Sequence, residues 1–406
     1  MHVILILKAM NYWWILYVFD GVVFFFVALT VLYLLFFAIA SLFSRHSEVP
    51  RTKQMNRFII IIPAYKKDSV VFHTVNSVLG QTYPQRLFDI VVISDHQEEM
   101  TNMRLAQSPV TLLTPDFDDS SKAKSIQFAF LNLPQFKIYD AVLILDAGNV
   151  VEPEFLEQAN DIFNTAGTQA IQIHRLAKNR DTSVSRLDAI FEEINNAIFR
   201  RGQNAMGLSA SLYGSGMIFA YEWFKNHIML VHPFCEDKEL EMLLLRENIY
   251  IDYFENIHIY DEKTRTAKDF NNQRGRWASY QFHAIVSNLH FLPTALLSRS
   301  YDLVNKLVQW MLIPRMILMG IILLMSLLLP FIYFSLVIKW WVAAAVVMFA
   351  FSLATPNYLV DKNWDKDFLY APWLIMWGFV NIVRVAMTET RLRFNSTRRA
   401  LRKLRK

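Results

Sequence analysis

Residues 141–149 read AVLILDAGN, an apolar run that ends abruptly in an acidic residue, a small residue and a glycine. Consecutive apolar side chains followed by a polar turn are typical of a strand buried on both faces, as in a parallel sheet. Two further runs share this form, Phe58 to Pro63 and Phe88 to Ser94, and helix-like segments separate the three. The pattern predicts an α/β domain whose ligands bind at the carboxyl ends of the strands.

Apolar runs on both sides of this domain are long enough to cross a membrane. Gly21 to Phe43 is free of charge over roughly 23 residues, which suffices for a hydrocarbon core about 30 Å thick. The run continues without a small-residue cleavage site, so we expect a retained transmembrane helix rather than a signal peptide. Met316 to Ile338 and Trp340 to Val360 are similar runs with Lys339 between them, which predicts a transmembrane hairpin.

Two further segments are predicted to lie along the membrane surface. Residues 294–315 separate an apolar helical face from a polar one. The apolar face holds Leu297, Tyr301, Val304, Val308 and Met311, and the polar face holds Arg299, Asp302, Lys306 and Gln309. Phe368 to Val383 is apolar over about 16 residues, short of the roughly 20 that a spanning helix needs. The predicted division of the chain is an N-terminal segment with a transmembrane helix (1–44), a cytoplasmic domain (57–291), an interfacial helix (294–315), a transmembrane hairpin (316–360), a second interfacial helix (368–388) and a basic cytoplasmic tail (389–406).

Charge and cysteine content indicate the compartment. Four Lys/Arg residues lie within 45–57 after the first apolar run, whereas Lys8 is the one that precedes it. The positive-inside bias therefore places the α/β domain in the cytoplasm, in a multi-pass protein of the cell inner (cytoplasmic) membrane. A single cysteine, Cys235, excludes an internal disulfide and agrees with a reducing compartment.

The composition excludes several classes of protein. Hydrophobic residues make up 54% of the 406 residues, with 32 Phe and 11 Gly, which argues against a disordered, collagen-like or ordinary soluble chain. The formal net charge of +5 arises at the C-terminus, because eight Lys/Arg and no acid lie within 391–406. The rest of the chain is net negative, so nucleic acid is not expected as a partner. The apolar composition instead makes membrane lipids expected partners.

Acidic residues end two of the predicted strands. Asp95 follows Ile90 to Ser94, where a carboxylate is placed to accept hydrogen bonds from a nucleobase or ribose. Asp146 follows Leu145, where a hard cation is held through oxygen ligands in metal-binding transferases. Each has a plainer interpretation, because Asp also caps helices and precedes Gly in turns.

Two polar clusters lie further along the chain. Glu236-Asp237 precedes a helical stretch, so one carboxylate is suited to cap the helix while the other acts as a base in a cleft. Gln273-Arg274-Gly275-Arg276-Trp277 combines two guanidinium groups with an indole, which suit a diphosphate and a sugar. A helix cap and a solvated basic turn beside the membrane are the alternatives.

Together, these motifs resemble the family 2 glycosyltransferases in their order and intervals, in particular the membrane branch that contains cellulose, hyaluronan and poly-N-acetylglucosamine synthases. The motifs that carry the resemblance are Ile61 to Tyr65 (opening strand and loop), Asp95 (base-binding aspartate), Lys122 (diphosphate-proximal lysine), Asp146-Ala147-Gly148 (metal motif Asp-x-Asp), Gly214-Ser215-Gly216 (acceptor-side loop), Cys235-Glu236-Asp237 (base motif Thr-Glu-Asp) and Gln273 to Trp277 (Gln-x-x-Arg-Trp).

The resemblance implies an α/β fold of the GT-A type, a nucleotide-sugar transferase domain with a Rossmann-like parallel sheet, inserted between transmembrane helices. It implies an inverting hexosyltransferase with Asp237 and Glu236 as catalytic residues. Donor binding is implied for Ala64, Tyr65, Asp95, Lys122, Asp146, Gln273, Arg274 and Arg276, and acceptor binding for Gly214, Ser215, Gly216 and Trp277.

The cofactor that the resemblance implies is Mg²⁺ or Mn²⁺ at Asp146. Gly148 stands where the family has its second metal aspartate, and glycine has no side chain with which to bind a cation. If Asp146 alone holds the cation, we expect Gly148→Asp to add an oxygen ligand and tighten metal binding.

The implied donor is a nucleotide sugar, a UDP-sugar by the resemblance, and the implied acceptor is a growing polysaccharide at the cytoplasmic membrane face. Transfer of a single sugar to a membrane lipid and a non-catalytic transferase-like subunit are the alternatives. Three predicted spans are few to shield a polysaccharide channel from lipid, and export or synthase subunits are among the partners considered.

Overall fold

The computed structural model describes residues 13–44, 49–134, 136–360, 362 and 364–403. Its centre is an eight-stranded sheet in the order β3-β2-β1-β4-β7-β6-β8-β5. The strands are β1 (Phe58–Tyr65), β2 (Phe88–Asp95), β3 (Thr111–Leu113), β4 (Ala141–Ile144), β5 (Val150–Val151), β6 (Ala170–Ala177), β7 (Met217–Ala220) and β8 (Ile251–Asp261).

Helices cover the sheet and continue into an apolar helical layer. Those within the α/β domain are α2 (Val71–Leu79), α3 (Glu99–Ala106), α4 (Lys122–Asn132), α5 (Phe155–Thr165), α6 (Ser183–Asn196), α7 (Gly202–Ala205), α8 (Tyr221–His227), α9 (Glu236–Arg246) and α10 (Ala267–Asn288), with a π-helical turn at Ala197–Arg201. The remaining helices are α1 (Trp13–Ser41), α11 (Leu292–Leu297), α12 (Tyr301–Met311), α13 (Arg315–Ile332), α14 (Phe334–Ala354) and α15 (Trp364–Lys403).

The three strands predicted from the sequence form the parallel centre of the sheet. β1 lies between β2 and β4 and is parallel to both, and its apolar side chains are buried on both faces. Tyr65 pairs in register with Asp95, so β1 and β2 end side by side. The predicted α/β fold class is confirmed.

The other half of the sheet is mixed rather than parallel. β7 is antiparallel to both β4 and β6, whereas β8 is parallel to β6. The N–H of Gly216, just before β7, donates to the carbonyl oxygen of Ile144 at 2.9 Å. The loop before β7 is thereby held beside Asp146, at the end of β4.

Three described helices, α1, α13 and α14, are long and apolar enough to cross a membrane. The turn of the predicted hairpin lies at Tyr333, not at Lys339. Lys339 lies inside α14, where its ammonium contacts Asp20 of α1, and Trp340 Nε1 donates to the same carboxylate at 2.8 Å. Because a charge within an apolar helix is tolerated when it is paired, Lys339 does not end α14, which explains why the turn lies at Tyr333 instead.

Helix α12 buries a mixed face, on which Lys306 and Gln309 lie beside Leu303, Leu307 and Trp310, and it exposes much of the apolar face predicted from the sequence. Lys306 is fully buried, and the carboxylate of Asp302 accepts the backbone N–H of Ser209 at 2.9 Å. Tyr301 and Met311, by contrast, are exposed. An exposed apolar surface is typical of an interaction surface, and the position of 294–315 along the membrane stays a prediction.

Helix α15 is longer than the predicted interfacial segment 368–388, because it runs without a break from Trp364 to Lys403. It crosses the start of α13 closely: a Cβ on Gly378 would lie 2.4 Å from Met316, and one on Gly320 would lie 2.5 Å from Phe379. Side chains beyond residue 384 and the end of the predicted tail 389–406 lie outside the described residues. The surface position of this helix stays a prediction.

Candidate functional site

A cavity of about 450 Å³ lies between the strand ends, α10 and the apolar helices. Eight of the residues predicted from the sequence line it: Lys122, Asp146, Gly214, Glu236, Asp237, Gln273, Arg274 and Trp277. Asp146 and Asp237, which are far apart in the chain, therefore open into one space.

The ammonium of Lys122 lies between two carboxylates of the cavity. It contacts Asp146 Oδ1, and lies 2.5 Å from the carbonyl oxygen of Gly214 and 3.6 Å from Glu236 Oε1. Burial by itself lowers the pKa of Lys122, but Asp146 and Glu236 outweigh it, so that the net pKa is raised. Lys122 thus supplies a fixed positive charge at neutral pH.

A buried polar loop holds the backbone of Asp146. The N–H of Asp146 donates to Ser215 Oγ at 2.9 Å and to Asn149 Oδ1 at 3.0 Å. Asn149 in turn donates from Nδ2 to Asp261 Oδ1 at 3.1 Å. The direction of the Asp146 side chain is therefore set by β7 and β8 as well as by its own strand.

The predicted acceptor loop contributes one residue to the cavity. Gly214 lines it, at a φ of +72°. Ser215 is fully buried, and Gly216 packs so closely that a Cβ would lie 2.7 Å from Ile259. In contrast to the predicted acceptor contacts, Ser215 and Gly216 lie behind the cavity, because the hydroxyl of Ser215 is used to hold Asp146.

Gly148 meets a conformational requirement of the turn after β4. Its φ is +110°, a region that residues with a side chain rarely adopt, and its N–H donates to Thr74 Oγ1 at 2.7 Å. An aspartate here would strain the turn before it offered an oxygen ligand. The expectation that Gly148→Asp tightens metal binding therefore loses its structural basis.

The carboxylates of Glu236 and Asp237 lie in the first turn of α9, where the helix dipole favours negative charge. Asp237 Oδ1 accepts the N–H of Lys238 at 2.9 Å and the thiol of Cys235 at 3.2 Å. Burial raises the pKa of Glu236; Lys122 acts against this, and Asp237 adds to it. Glu236 is engaged by the ammonium of Lys122, which leaves Asp237 as the candidate base.

Helix α10 divides the predicted Gln-x-x-Arg-Trp cluster between two faces. Gln273, Arg274 and Trp277 line the cavity. Arg274 pairs with Asp188, and its guanidinium lies 4.2 Å from the centroid of the Trp277 ring. Arg276 is exposed and does not line the cavity, so its side chain is not placed to make the predicted contact with a diphosphate there.

Three predicted donor residues lie outside the cavity, at the ends of β1 and β2: Ala64, Tyr65 and Asp95. Asp95 is buried, and its Oδ1 accepts Ser120 Oγ–H at 3.1 Å and lies 2.6 Å from His96 Nδ1. Its Oδ2 has no hydrogen-bond partner within the described ranges, whereas the Tyr65 ring is exposed and packs edge-on against His96. Ser120 precedes Lys122 by two residues, so the start of α4 connects this place to the cavity.

Sequence analysis missed a buried ionic network beneath the cavity. Glu192 lies 3.1 Å from Arg175, 3.4 Å from Arg200 and 3.5 Å from Lys263. Burial alone raises the pKa of Glu192, but the three cations outweigh it and hold that pKa well below its usual range. Arg175 and Arg200 line the cavity, so the network fixes its wall. The available signal was the polar side chains within the otherwise apolar strand β6.

The donor set at Asp146 does not fit the two-carboxylate metal motif. Gly148 offers no side chain, and the ammonium of Lys122 takes up Asp146 Oδ1. In the described part of the chain, no group of three His, Cys, Asp or Glu side chains is placed to hold an ion. Divalent cations prefer several oxygen ligands, so these residues do not form a metal site of the two-aspartate kind.

Residues 56–279 match the family model described as glycosyltransferase like family 2. The chain belongs to this family. The matched stretch begins just before β1 and ends within α10, and it contains every catalytic, donor and acceptor residue predicted from the sequence. The protein thus carries a family 2 glycosyltransferase domain beside its apolar helices.

Solved structures of glycosyltransferases are similar to this chain. The mannosyltransferase PcManGT from Pyrobaculum calidifontis, in complex with GDP-Man and Mn²⁺, matches with a TM-score of 0.53 and 12% identity, over 89% of this chain and 94% of its own. S. aureus TarS 1-349 in complex with UDP-GlcNAc matches with a TM-score of 0.42 and 15% identity, over 82% of this chain and 92% of its own. A comparison with curated protein sequences found no match.

At these identities the likeness concerns the fold alone, and it confirms the GT-A type of the domain. The particular resemblance to cellulose, hyaluronan and poly-N-acetylglucosamine synthases is not confirmed.

Proposed function

We propose that the protein transfers a sugar, with inversion, from a nucleotide-sugar donor to a hydroxyl of a membrane-associated acceptor. The observation that carries this proposal is the meeting of Lys122, Asp146, Glu236 and Asp237 in a cavity that continues to the apolar helices. The choice of a UDP-sugar rests on the sequence resemblance. The cytoplasmic face of the inner membrane as the location rests on the basic residues within 45–57.

In this mechanism Asp237 accepts the proton of the acceptor hydroxyl as that oxygen attacks the anomeric carbon. The bond from the anomeric carbon to the donor diphosphate breaks on the opposite face, and the diphosphate leaves with the electron pair. General-base assistance of this kind contributes about 10² to 10⁴ in rate. The fixed charge of Lys122 stabilises the negative charge that gathers on the leaving group.

The donor is proposed to lie across the strand ends, from Asp95 to Lys122. The unpartnered Oδ2 of Asp95 suits a donor group of the nucleobase or ribose, and the exposed ring of Tyr65 offers a face for stacking. The start of α4 then leads to Lys122, so that the diphosphate reaches the cavity where Asp237 lies.

For the acceptor, the cavity favours a lipid over a polysaccharide. Part of its lining comes from the helices beside the transferase domain: Leu34 belongs to α1, Met316 to α13 and Ile382 to α15. Trp277 and Tyr213, whose ring centroids lie 5.1 Å apart, give the acceptor an aromatic wall near Asp237. A growing polysaccharide is the second candidate, favoured by the full Gln-x-x-Arg-Trp cluster at Gln273 to Trp277.

The test is nucleotide release by the purified full chain in detergent, with UDP-sugars and GDP-sugars and added membrane lipids. Asp237→Asn is expected to lower turnover about 10²- to 10⁴-fold while UDP affinity, measured by calorimetry, is kept. Glu239→Gln on the same helix is the matched control, because Glu239 accepts the N–H of His232 and does not line the cavity. Normal release by Asp237→Asn would exclude it as the base, and product size separates a lipid from a polymer.

A further inference from the structure

Arg315 lies where the cavity meets the apolar helices. It is the first residue of α13 and lines the cavity together with Thr30 and Leu34 of α1. Its Nη2 donates to the carbonyl oxygen of Phe191 at 3.3 Å. Its Nη1 is buried and has no hydrogen-bond partner within the ranges that the structure describes. One side of this guanidinium is therefore available to a ligand.

The other arginines of the cavity are neutralised by acids. Arg175 and Arg200 both pair with Glu192, and Arg274 pairs with Asp188. No ion pair joins Arg315 to an acid among the described side chains. A buried charge without a counter-ion costs several kcal/mol, and a cation at a helix N-terminus also opposes the helix dipole. Both costs fall when an anion binds.

Several polar groups of the cavity lack hydrogen-bond partners among the described residues, and donors are the larger group. The donors are Arg175 Nε, Arg274 Nε, Trp310 Nε1 and Arg315 Nη1, the acceptors are Gln273 Oε1 and Gln309 Oε1, and the hydroxyl of Tyr213 can act as either. Arg175, Arg274 and Trp310 are each more than nine-tenths buried. An excess of buried, unpartnered donors suits a ligand that is rich in acceptor oxygens and negative charge, as a phosphate is.

Around Arg315 the cavity has apolar walls, to which α1 and α13, two helices long and apolar enough to span a membrane, contribute Leu34 and Met316. The apolar side chains of this end are Leu34, Leu312, Ile313, Met316 and Ile382. Thr30 Oγ1 accepts the N–H of Ile313 at 3.4 Å, which holds α1 against the start of α13. A guanidinium next to apolar walls matches a phospholipid, whose phosphate lies next to the start of its apolar chains.

We propose that Arg315 binds the phosphate of an anionic lipid and that a head-group hydroxyl of this lipid is the acceptor at Asp237. The inference rests on the proposed function and names an acceptor class for it. The sugar passes to the lipid oxygen, the hydroxyl proton to Asp237, and the nucleoside diphosphate leaves. The donor carries phosphate too, but its diphosphate belongs with Lys122, at the strand ends.

The experiment measures lipid affinity of the purified full chain in detergent. Phosphatidylglycerol supplies a phosphate with free hydroxyls, and diacylglycerol supplies a hydroxyl without a phosphate. We expect wild type to bind phosphatidylglycerol at least about tenfold more tightly than diacylglycerol, as a charge-assisted hydrogen bond predicts. Equal affinity for the two lipids overturns the proposal without any variant.

Substitutions then assign the effect to Arg315. Arg315→Met should weaken phosphatidylglycerol binding about 10- to 100-fold and leave diacylglycerol binding and UDP affinity unchanged. Arg299→Met is the matched control, because Arg299 is exposed in the neighbouring segment and does not line the cavity. Unchanged phosphatidylglycerol binding by Arg315→Met, or a loss of UDP affinity instead, overturns the lipid site. If wild type fails to bind any nucleotide, the proposed function fails as well.

Discussion

Lys306 Nζ lies 2.8 Å from Glu241 Oε1, and both side chains are fully buried. Lys306 belongs to α12, whose apolar face is exposed, and Glu241 belongs to α9, the helix that begins with Glu236 and Asp237. Lys238, in the same helix, lies 3.1 Å from Glu241 Oε2. The segment proposed to lie on the membrane is thus tied by a buried ion pair to the helix that carries the candidate base.

Lys306→Met is expected to destabilise the protein by about 3 to 5 kcal/mol, because it leaves the carboxylate of Glu241 buried with one of its two cations. The measurement is thermal unfolding of the detergent-solubilised protein. Lys306→Met combined with Glu241→Gln should recover part of the loss, since the amide removes the uncompensated carboxylate and still accepts the N–H of Leu212, while Asp237 remains near Lys238. If the double variant is less stable than Lys306→Met, the ion pair is not the cause.

Lys122 is expected to contribute more to nucleotide binding than a divalent cation does. Lys122→Met should weaken UDP affinity about 10- to 100-fold, because a charge-assisted hydrogen bond is lost. Removing divalent cations with EDTA should change UDP affinity far less, because the paired Asp146 offers a poor metal site. Lys124→Met, two residues further along α4, is the control, since Lys124 pairs with Asp119. If UDP affinity depends on Mn²⁺ as strongly as on Lys122, Asp146 does hold a cation and this prediction is wrong.

The buried network predicts a sensitivity to acid. The folded-state pKa of Glu192 is depressed, so its stabilising contribution is present above the unfolded value of about 4.3 and is lost as the pH falls through the folded value. Glu192→Gln should therefore cost about 3 to 5 kcal/mol at neutral pH, since Arg200 loses its acidic partner and Arg175 and Lys263 keep only Asp261. Unfolding of both proteins across pH tests this: the difference between them should shrink below about pH 4. A difference independent of pH would contradict it.

Local patterns were enough to predict the centre of the sheet but not its polar network. β1, β2 and β4 are apolar runs that end in turns, and this signal depends on neighbouring residues alone. Glu192 is stabilised by Arg175 and Lys263, which reach it from other parts of the chain. A charged residue is expected on the surface as long as its partners are unknown, so the sequence alone does not predict the buried network around Glu192.

The position of Arg315 shows the same limit. Arg315 precedes a long apolar run, a pattern typical of a charge that flanks a membrane helix, and only the packing of α1 against the start of α13 places it in the cavity. Arg276 shows the reverse error, because the motif spacing predicts a diphosphate contact, whereas the Arg276 side chain is exposed and does not line the cavity. Lys339 is predicted at the turn of the hairpin because the local pattern does not reveal its partner, Asp20, which lies in α1.

The contact between Gly202 and Phe37 joins the transferase domain to α1, and it has no room for a side chain. A Cβ on Gly202 would lie 2.3 Å from the carbonyl oxygen of Phe37 and 2.9 Å from that of Ala197, and backbone atoms cannot swing aside as a flexible side chain does. Gly202→Ala is therefore expected to push α1 away from the domain and to destabilise the protein by about 1 to 3 kcal/mol.

Gly21→Ala is the matched control, because Gly21 lies in α1 itself and a Cβ there meets nothing within 4 Å. Thermal unfolding in detergent should separate the two variants, with Gly21→Ala close to wild type. Since α1 also contributes Thr30 and Leu34 to the cavity wall, Gly202→Ala should weaken phosphatidylglycerol binding while UDP affinity persists. If the two variants unfold alike, α1 does not depend on this contact for its position.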